Sequence, residues 1–287
     1  GVYSGTVDFD PGAGVTLLTT AYSSSLFLLK LDNNGDFLWV KQWENSTQYS
    51  TISSHILDID QSNHIYISGN FVNANPLDID PGAATYNVTG KGFIVKMNAA
   101  GDFIWGGSNT ANNTLIHLDH TGNLITSGSY KGGDDTDPGP GTFYANGDGT
   151  NNIYITKSDP GGNLLWSKTL IRPIANETAY TIASDSNGHI FMGGILYHNF
   201  GNHILDCDPD TSTYILNTDG FNLLMYSMDS AGNFLWAKKT TLDYTCGLEN
   251  MLMVTNPTND LIVAGNYCQE MDIDFSPATL NIGVSGK

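Results

Sequence analysis

Pairs of aspartates are the residues of this chain best placed to do chemistry. Asp8-Phe9-Asp10-Pro11-Gly12 returns as Asp78-Ile79-Asp80-Pro81-Gly82, Asp135-Thr136-Asp137-Pro138-Gly139, Asp206-Cys207-Asp208-Pro209 and Asp272-Ile273-Asp274. In an extended segment the two carboxylates of Asp-x-Asp point to one side, because strand periodicity is two. Like charges so close need a cation or a set of N–H donors beside them. Ten Lys and one Arg cannot serve five such pairs. Backbone amides or a hard metal ion must therefore do so. Calcium is the natural metal, since it accepts carboxylates and carbonyls in flexible geometry. Asp8, Asp10, Asp78, Asp80, Asp135, Asp137, Asp206, Asp208, Asp272 and Asp274 are thus candidate ligands for structural Ca²⁺. The competing expectation is that Asp caps and Pro-Gly turns simply lock one repeat unit to the next.

Other chemistries find less support. No HExxH, GxSxG or Walker sequence is present. The seven His do not recur at repeat positions, although His198 and His203 lie near Asp206 and Asp208 in sequence. Cys207, Cys246 and Cys268 are too few and too unevenly placed for a disulfide framework; Cys246 and Cys268 fall in one repeat unit, which leaves a bond between them conceivable, against the alternative of free buried thiols. The net charge of −18 would repel a phosphate backbone, which excludes nucleic acid as a partner. No apolar run approaches the roughly 20 residues of a membrane-spanning helix, so direct membrane insertion is not expected.

The elements that must position these residues follow from the spacing. The first Asp of each copy follows the last by 70, 57, 71 and 66 residues. Each unit holds an apolar run, a turn and a second run ending in Trp, as in Phe27-Leu28-Leu29-Lys30-Leu31-Asp32, Asn33-Asn34-Gly35-Asp36 and Phe37-Leu38-Trp39-Val40. That is a hairpin signature. A second hairpin follows, as in Ile56 to Gly69, with an Asp or Asn nine residues before its Gly (Asp60, Asp119, Asp185, Asn256). Two hairpins give four antiparallel strands, and such units in series predict an all-β fold, a β-propeller. The predicted blades occupy 25–91, 92–150, 151–221 and 222–287, with their strands at 25–71, 92–130, 151–197 and 222–267. Residues 1–24 are read as the end of a preceding blade and its linker. Four blades leave open edges, so a larger ring of six to eight within a longer chain is expected. Trp39, Trp105, Trp166 and Trp236 are expected to pack between blades.

At these residues the chain resembles the SBBP-type β-propeller repeats of large secreted and cell-surface proteins of Bacteroidota. Val7-Asp8-Phe9-Asp10-Pro11-Gly12, Gly35-Asp36-Phe37-Leu38-Trp39 and Asp119-His120-Thr121-Gly122-Asn123 match the succession of motifs in that family, and the likeness spans essentially the whole chain. Asp210 replaces Gly in the fourth motif, and Phe275-Ser276-Pro277 alters the fifth. The resemblance implies a secreted or cell-surface protein exported by the type IX pathway. The expected function is a non-enzymatic scaffold that binds a surface protein or glycan, an adhesion role. Its rivals are a glycan-active hydrolase or lyase using Asp residues on the Asp-x-Asp face, and a structural spacer or filament component. The sialidase reading of the Asp-to-Trp spacing fails on a count, because an arginine triad is required and Arg172 stands alone.

Overall fold

The computed structural model describes residues 1–22, 24–44, 51–72, 76–147, 151–170, 176–197, 203–210, 212–218, 220–242, 251–265, 271–272 and 281–282. All regular structure among them is β. The chain enters through β1 (Val2–Tyr3), then a short hairpin of β2 (Thr6–Asp8) and β3 (Leu17–Thr19), then a long hairpin of β4 (Ser25–Leu31) and β5 (Phe37–Glu44). Next come β6 (Thr51–Ile59), β7 (Ile65–Val72), the short β8 (Leu77–Asp78) and β9 (Asn87–Val88), β10 (Gly92–Met97) and β11 (Phe103–Asn109). In the following unit, β12 (Asn112–Leu118), β13 (Leu124–Tyr130), β14 (Asn152–Ser158) and β15 (Leu164–Leu170), one bridge between Asp135 and Tyr144 replaces the short hairpin. Then follow β16 (Asn176–Ser184), β17 (Ile190–Tyr197), β18 (His203–Asp206), β19 (Ile215–Thr218), β20 (Phe221–Met228) and β21 (Phe234–Leu242). The chain closes with β22 (Met251–Thr255), β23 (Leu261–Gly265), β24 (Met271–Asp272) and β25 (Asn281–Ile282).

The strands form three four-stranded antiparallel sheets, β6-β7-β10-β11, β12-β13-β14-β15 and β16-β17-β20-β21, flanked by a three-stranded sheet β1-β4-β5 and the pair β22-β23. This corrects the predicted grouping. Strands of 25–71 do not form one sheet; β7 pairs with β10 (Gly69 opposite Phe93), β13 with β14 (Gly128 opposite Tyr154) and β17 with β20 (Gly194 opposite Leu224). The sheets therefore start one hairpin later, at 51–109, 112–170 and 176–242, and three rather than four are complete among the described residues. The Asp-x-Asp segment is an insertion between the second and third strands of a sheet, not a linker between sheets. Both long hairpins carry the same turn, so the turn alone cannot say which hairpin comes first.

Burial explains the strand compositions. Every residue of β10 and β13 is buried, while β15 is mostly half-buried. Middle strands are covered on both faces by neighbouring sheets and hold apolar or small residues, as in Leu124 to Tyr130; outer strands are half-solvated. Four core clusters lie between consecutive sheets, and a fifth, of Ala111, Tyr130, Ala145 and Tyr154, lies within one sheet and its insertion. Leu26 and Trp43 meet Ile52, Phe71 and Phe93; Tyr66 and Ile94 meet Ile116 and Leu124; Ile153 and Ile155 meet Leu196, Leu224 and Tyr226; Phe191 and Met225 meet Met251 and Met253. Each such side chain contributes about 1.5–3 kcal/mol on burial. The first strands of successive sheets, β6, β12, β16 and β22, pack one against the next.

Candidate binding site

The Asp-x-Asp hairpins repeat one hydrogen-bond pattern four times. Oδ1 of the first Asp accepts the N–H two residues on and the N–H eight residues on: Asp10 and Thr16 for Asp8, Asp80 and Tyr86 for Asp78, Asp137 and Phe143 for Asp135, Asp208 and Tyr214 for Asp206, all at 2.8–3.1 Å. Oδ1 of the second Asp caps the turn that follows, at Gly12, Gly82, Gly139 and Asp210. The middle residue, Phe9, Ile79, Thr136 or Cys207, is buried and donates its N–H to the carbonyl seven residues on. At two of the four, the second partner also serves packing: Tyr86 lies against Phe103 and Tyr214 against Phe234, with ring centroids 5.2 and 4.9 Å apart.

These hairpins clip neighbouring sheets together. Trp43 Nε1 on β5 donates to the Ile79 carbonyl of the next sheet's hairpin at 2.9 Å. Lys168 on β15 pairs with Asp210. Between the middle sheets the clip needs Gly107 on β11, where a Cβ would stand 2.3 Å from the Gly139 carbonyl oxygen. That close approach buries Asp135 and Asp137. Burial pushes the Asp137 carboxyl up, the Gly139 N–H draws it back, and the Asp135 charge adds to the rise. Backbone amides thus supply the donors at Asp8, Asp10, Asp78, Asp80, Asp135, Asp137, Asp206 and Asp208. Calcium needs six to eight oxygens, whereas each of these carboxylates has Oδ1 committed to N–H donors. Among the described residues no group of three or more His, Cys, Asp or Glu is placed to hold a metal. The side chain of Asp272, and Asp274, Cys246, Cys268, His198 and the side chain of His203, lie outside the described residues.

At the opposite end of the sheets stand eight copies of one turn, opened by Asp32, Asp60, Asn98, Asp119, Asp159, Asp185, Asp229 and Asn256. In each, the first residue's N–H donates to the carbonyl four residues on, and the fourth residue's N–H returns to the first carbonyl. The fourth residue has positive φ, which Gly supplies six times and Asn63 and Asn259 twice. Oδ1 of the first residue accepts two backbone N–H groups, as Asp159 does from Gly161 and Asn163. The fifth side chain completes the pattern by complementarity. Asp is followed by Asn or His (Asp119–Asn123, Asp159–Asn163, Asp229–Asn233, Asp60–His64, Asp185–His189), and Asn by Asp (Asn98–Asp102, Asn256–Asp260), with N···O distances of 2.8–3.1 Å. Asp32 and Asp36 break the rule with two carboxylates.

The turns also join sheets. Lys30, Lys96 and Lys157 donate to the carbonyls of Ala99, Pro160 and Ser230, the second residue of the next sheet's outer turn. Trp105 and Trp166 donate Nε1–H to the same Pro160 and Ser230 carbonyls. The rings of Trp39, Trp105 and Trp166 lie against Gly101, Gly162 and Gly232, so packing between sheets holds for these three. Lys157 Nζ also lies 2.9 Å from Asp119, both side chains buried. Burial raises the Asp119 carboxyl, but hydrogen bonds from Thr121, Lys157 and Asn123 outweigh it and hold Asp119 well below the usual carboxylate range. Burial likewise raises the Asp60 carboxyl, but hydrogen bonds from His64 and its charge outweigh burial and hold Asp60 below the usual carboxylate range.

Between the turns of the second and third sheets, counted from the three-stranded one, lies a cleft of about 650 Å³. Its walls include Asp58 and Asp60 from one side, His117, Asp119 and His120 from the other, and Lys96 at the back. Asp58 lies two residues before its turn, and its Oδ2 accepts the Leu118 N–H of the facing strand at 2.9 Å. His117 holds the matching place in β12, where Nε2 meets Ser184 Oγ of β16 at 2.9 Å. Burial lowers the His117 imidazole, partly offset by Asp58 and Asp119, so the ring is neutral at neutral pH. In the next two strands the same position holds Ala183 and Val254. Sequence reasoning passed over this cleft because its residues do not recur, and that lack of recurrence was itself the available signal.

No family model matches the chain, and no curated protein matches it.

Proposed function

We propose that the sheets are blades of a β-propeller and that the protein is a non-catalytic binding scaffold, secreted or held at a bacterial surface, whose ligand site is the cleft between the second and third sheets. The observation that carries this reading is the contrast at one position: polar Asp58 and His117 line the cleft, where the repeat otherwise places Ala183 and Val254. Face-to-face packing of successive sheets, with β6, β12, β16 and β22 side by side, supports the propeller arrangement. The likeness to SBBP-type repeats supports the surface setting. A cleft of this volume is in the range that ligand sites occupy. Its carboxylates Asp60 and Asp119 are held ionised by their partners, which suits recognition and leaves neither as a proton donor at neutral pH.

The reading is tested by immobilising the chain and probing it with a panel of oligosaccharides and peptides, followed by mass spectrometry of each ligand that binds. It expects saturable binding and recovery of the ligand unchanged. Recovery of a cleaved or eliminated product makes the protein a glycan-active enzyme instead. Absence of any saturable ligand leaves the spacer role.

A further inference from the structure

Among the carboxylates that wall the cleft, Asp58 differs from its neighbours. Asp60 has His64 Nδ1 at 2.9 Å and Lys96 Nζ at 3.8 Å, and Asp119 has Lys157 Nζ at 2.9 Å. Among the described residues Asp58 accepts two backbone N–H groups, from Ile59 and Leu118, and no cation pairs with it. Its neighbour His117 is occupied by Ser184 and carries no charge at neutral pH. Asp60 and Asp119 are thus offset by the ammoniums of Lys96 and Lys157, which leaves Asp58 as the lining carboxylate without a described cation, in a chain of net charge −18. A carboxylate without a counter-ion in a concave site of a strongly acidic chain raises the local concentration of the opposite charge.

We infer that the cleft takes a basic side chain, a lysine ammonium or arginine guanidinium presented by a partner protein, with Asp58 as its counter-ion. This rests on the binding-scaffold reading and names its ligand. The remaining lining matches such a guest. Ser62, His120 and Thr121 stand at the lip, and Leu118 and Pro160 offer apolar surface for the methylene stem of a long cationic side chain. Anionic glycans and acidic peptides are repelled by the same field.

The test uses the intact chain and three probes: fluorescein-labelled pentalysine, its fully ε-acetylated counterpart, and unlabelled maltotetraose as competitor. Fluorescence anisotropy reads the peptides. Asp36→Asn is the control, since it removes one exposed charge from the same end of the molecule and installs the residue that matching turns already use. The expected result is saturable pentalysine binding that weakens as salt rises, is lost on acetylation, falls at least tenfold in Asp58→Asn and is kept in Asp36→Asn. Ser62→Lys, which places a cation at the lip without touching the core, reproduces the loss and guards against a folding defect in Asp58→Asn. Equal loss in Asp36→Asn reduces the effect to overall charge and overturns the assignment. Competition by maltotetraose that depends on Asp58 but not on salt also overturns it, while leaving the binding-scaffold reading in place. No binding of any probe overturns the basic-ligand assignment, and the broader panel then decides the scaffold reading separately.

Discussion

The two ends of these sheets use aspartate in opposite ways. At the clip end, Asp8, Asp78, Asp135 and Asp206 repeat one pattern and spend their oxygens on backbone N–H groups of their own hairpin. At the turn end the same economy governs eight turns, but Asp58 and His117 depart from the repeat and enclose a cleft. Repetition marks the joints that recur from sheet to sheet. The two departing residues line the cleft proposed as the ligand site and also tie β6 to β12 and β12 to β16. Among the described residues neighbouring sheets share no backbone ladder, and side chains join their first strands instead: Asp58 to Leu118, His117 to Ser184, and Thr255 Oγ1 to the Ser184 carbonyl at 2.7 Å.

The largest expected effect is at the turn end. Lys157→Met leaves the Asp119 carboxylate buried without its ammonium and should cost about 3–5 kcal/mol in denaturant melts. The pH dependence follows from sign. Asp119 is depressed in the fold, so its contribution is present above the unfolded value near 3.9 and is lost as pH falls through the lower folded value. Lys157→Met should therefore move the acid-unfolding midpoint upward; an unchanged midpoint means the pair does not stabilise the fold. Next, Gly162→Ala meets both a φ of +86° and the Trp105 ring 3.1 Å from the new Cβ, whereas Gly35→Ala meets a φ of +88° and open space. We expect about 3 kcal/mol for the first and about 1 kcal/mol for the second. Equal losses would deny that Trp stacking joins the sheets.

At the clip end, Asp78→Ala removes the acceptor of two N–H groups and should cost about 2 kcal/mol, while Asp78→Asn keeps an amide oxygen in place and should stay within about 0.5 kcal/mol of wild type. The smallest effect has the opposite sign. Asp137 is raised in the fold, so ionising it becomes a penalty as pH climbs past the unfolded value. Asp137→Asn keeps the cap on Gly139 and should stabilise the fold at pH 7 and leave it unchanged at pH 3 in denaturant melts. A loss at pH 7 would show that the carboxylate charge itself is needed there.

The hairpins, their turns and the Trp packing were legible because each rests on local chemistry: an Asp or Asn cap, a positive-φ Gly three residues on, and an aromatic at fixed distance. The nine-residue interval from Asp60 to Gly69 spans such a turn and the strand beyond it. Sheet membership was not legible, since β4-β5 and β6-β7 carry the same turn and nothing local says that β7 pairs with β10. Locking by the Asp-x-Asp pairs was among the expectations, but its place between second and third strands was not. The cleft was invisible because Asp58 and His117, 59 positions apart, meet only through the packing of β6 against β12.

The claim that the repeated carboxylates are structural clips satisfied by backbone amides is tested most directly by thermal unfolding of the wild type and of Asp78→Asn/Asp80→Asn, each in excess chelator and in a calcium titration. A ligand of the native state must raise the melting temperature by mass action. The account predicts that calcium shifts neither protein and that the two melt within about 3 °C of each other. A calcium-dependent rise that saturates in the wild type and vanishes in the double variant would make the pairs ion sites and contradict it.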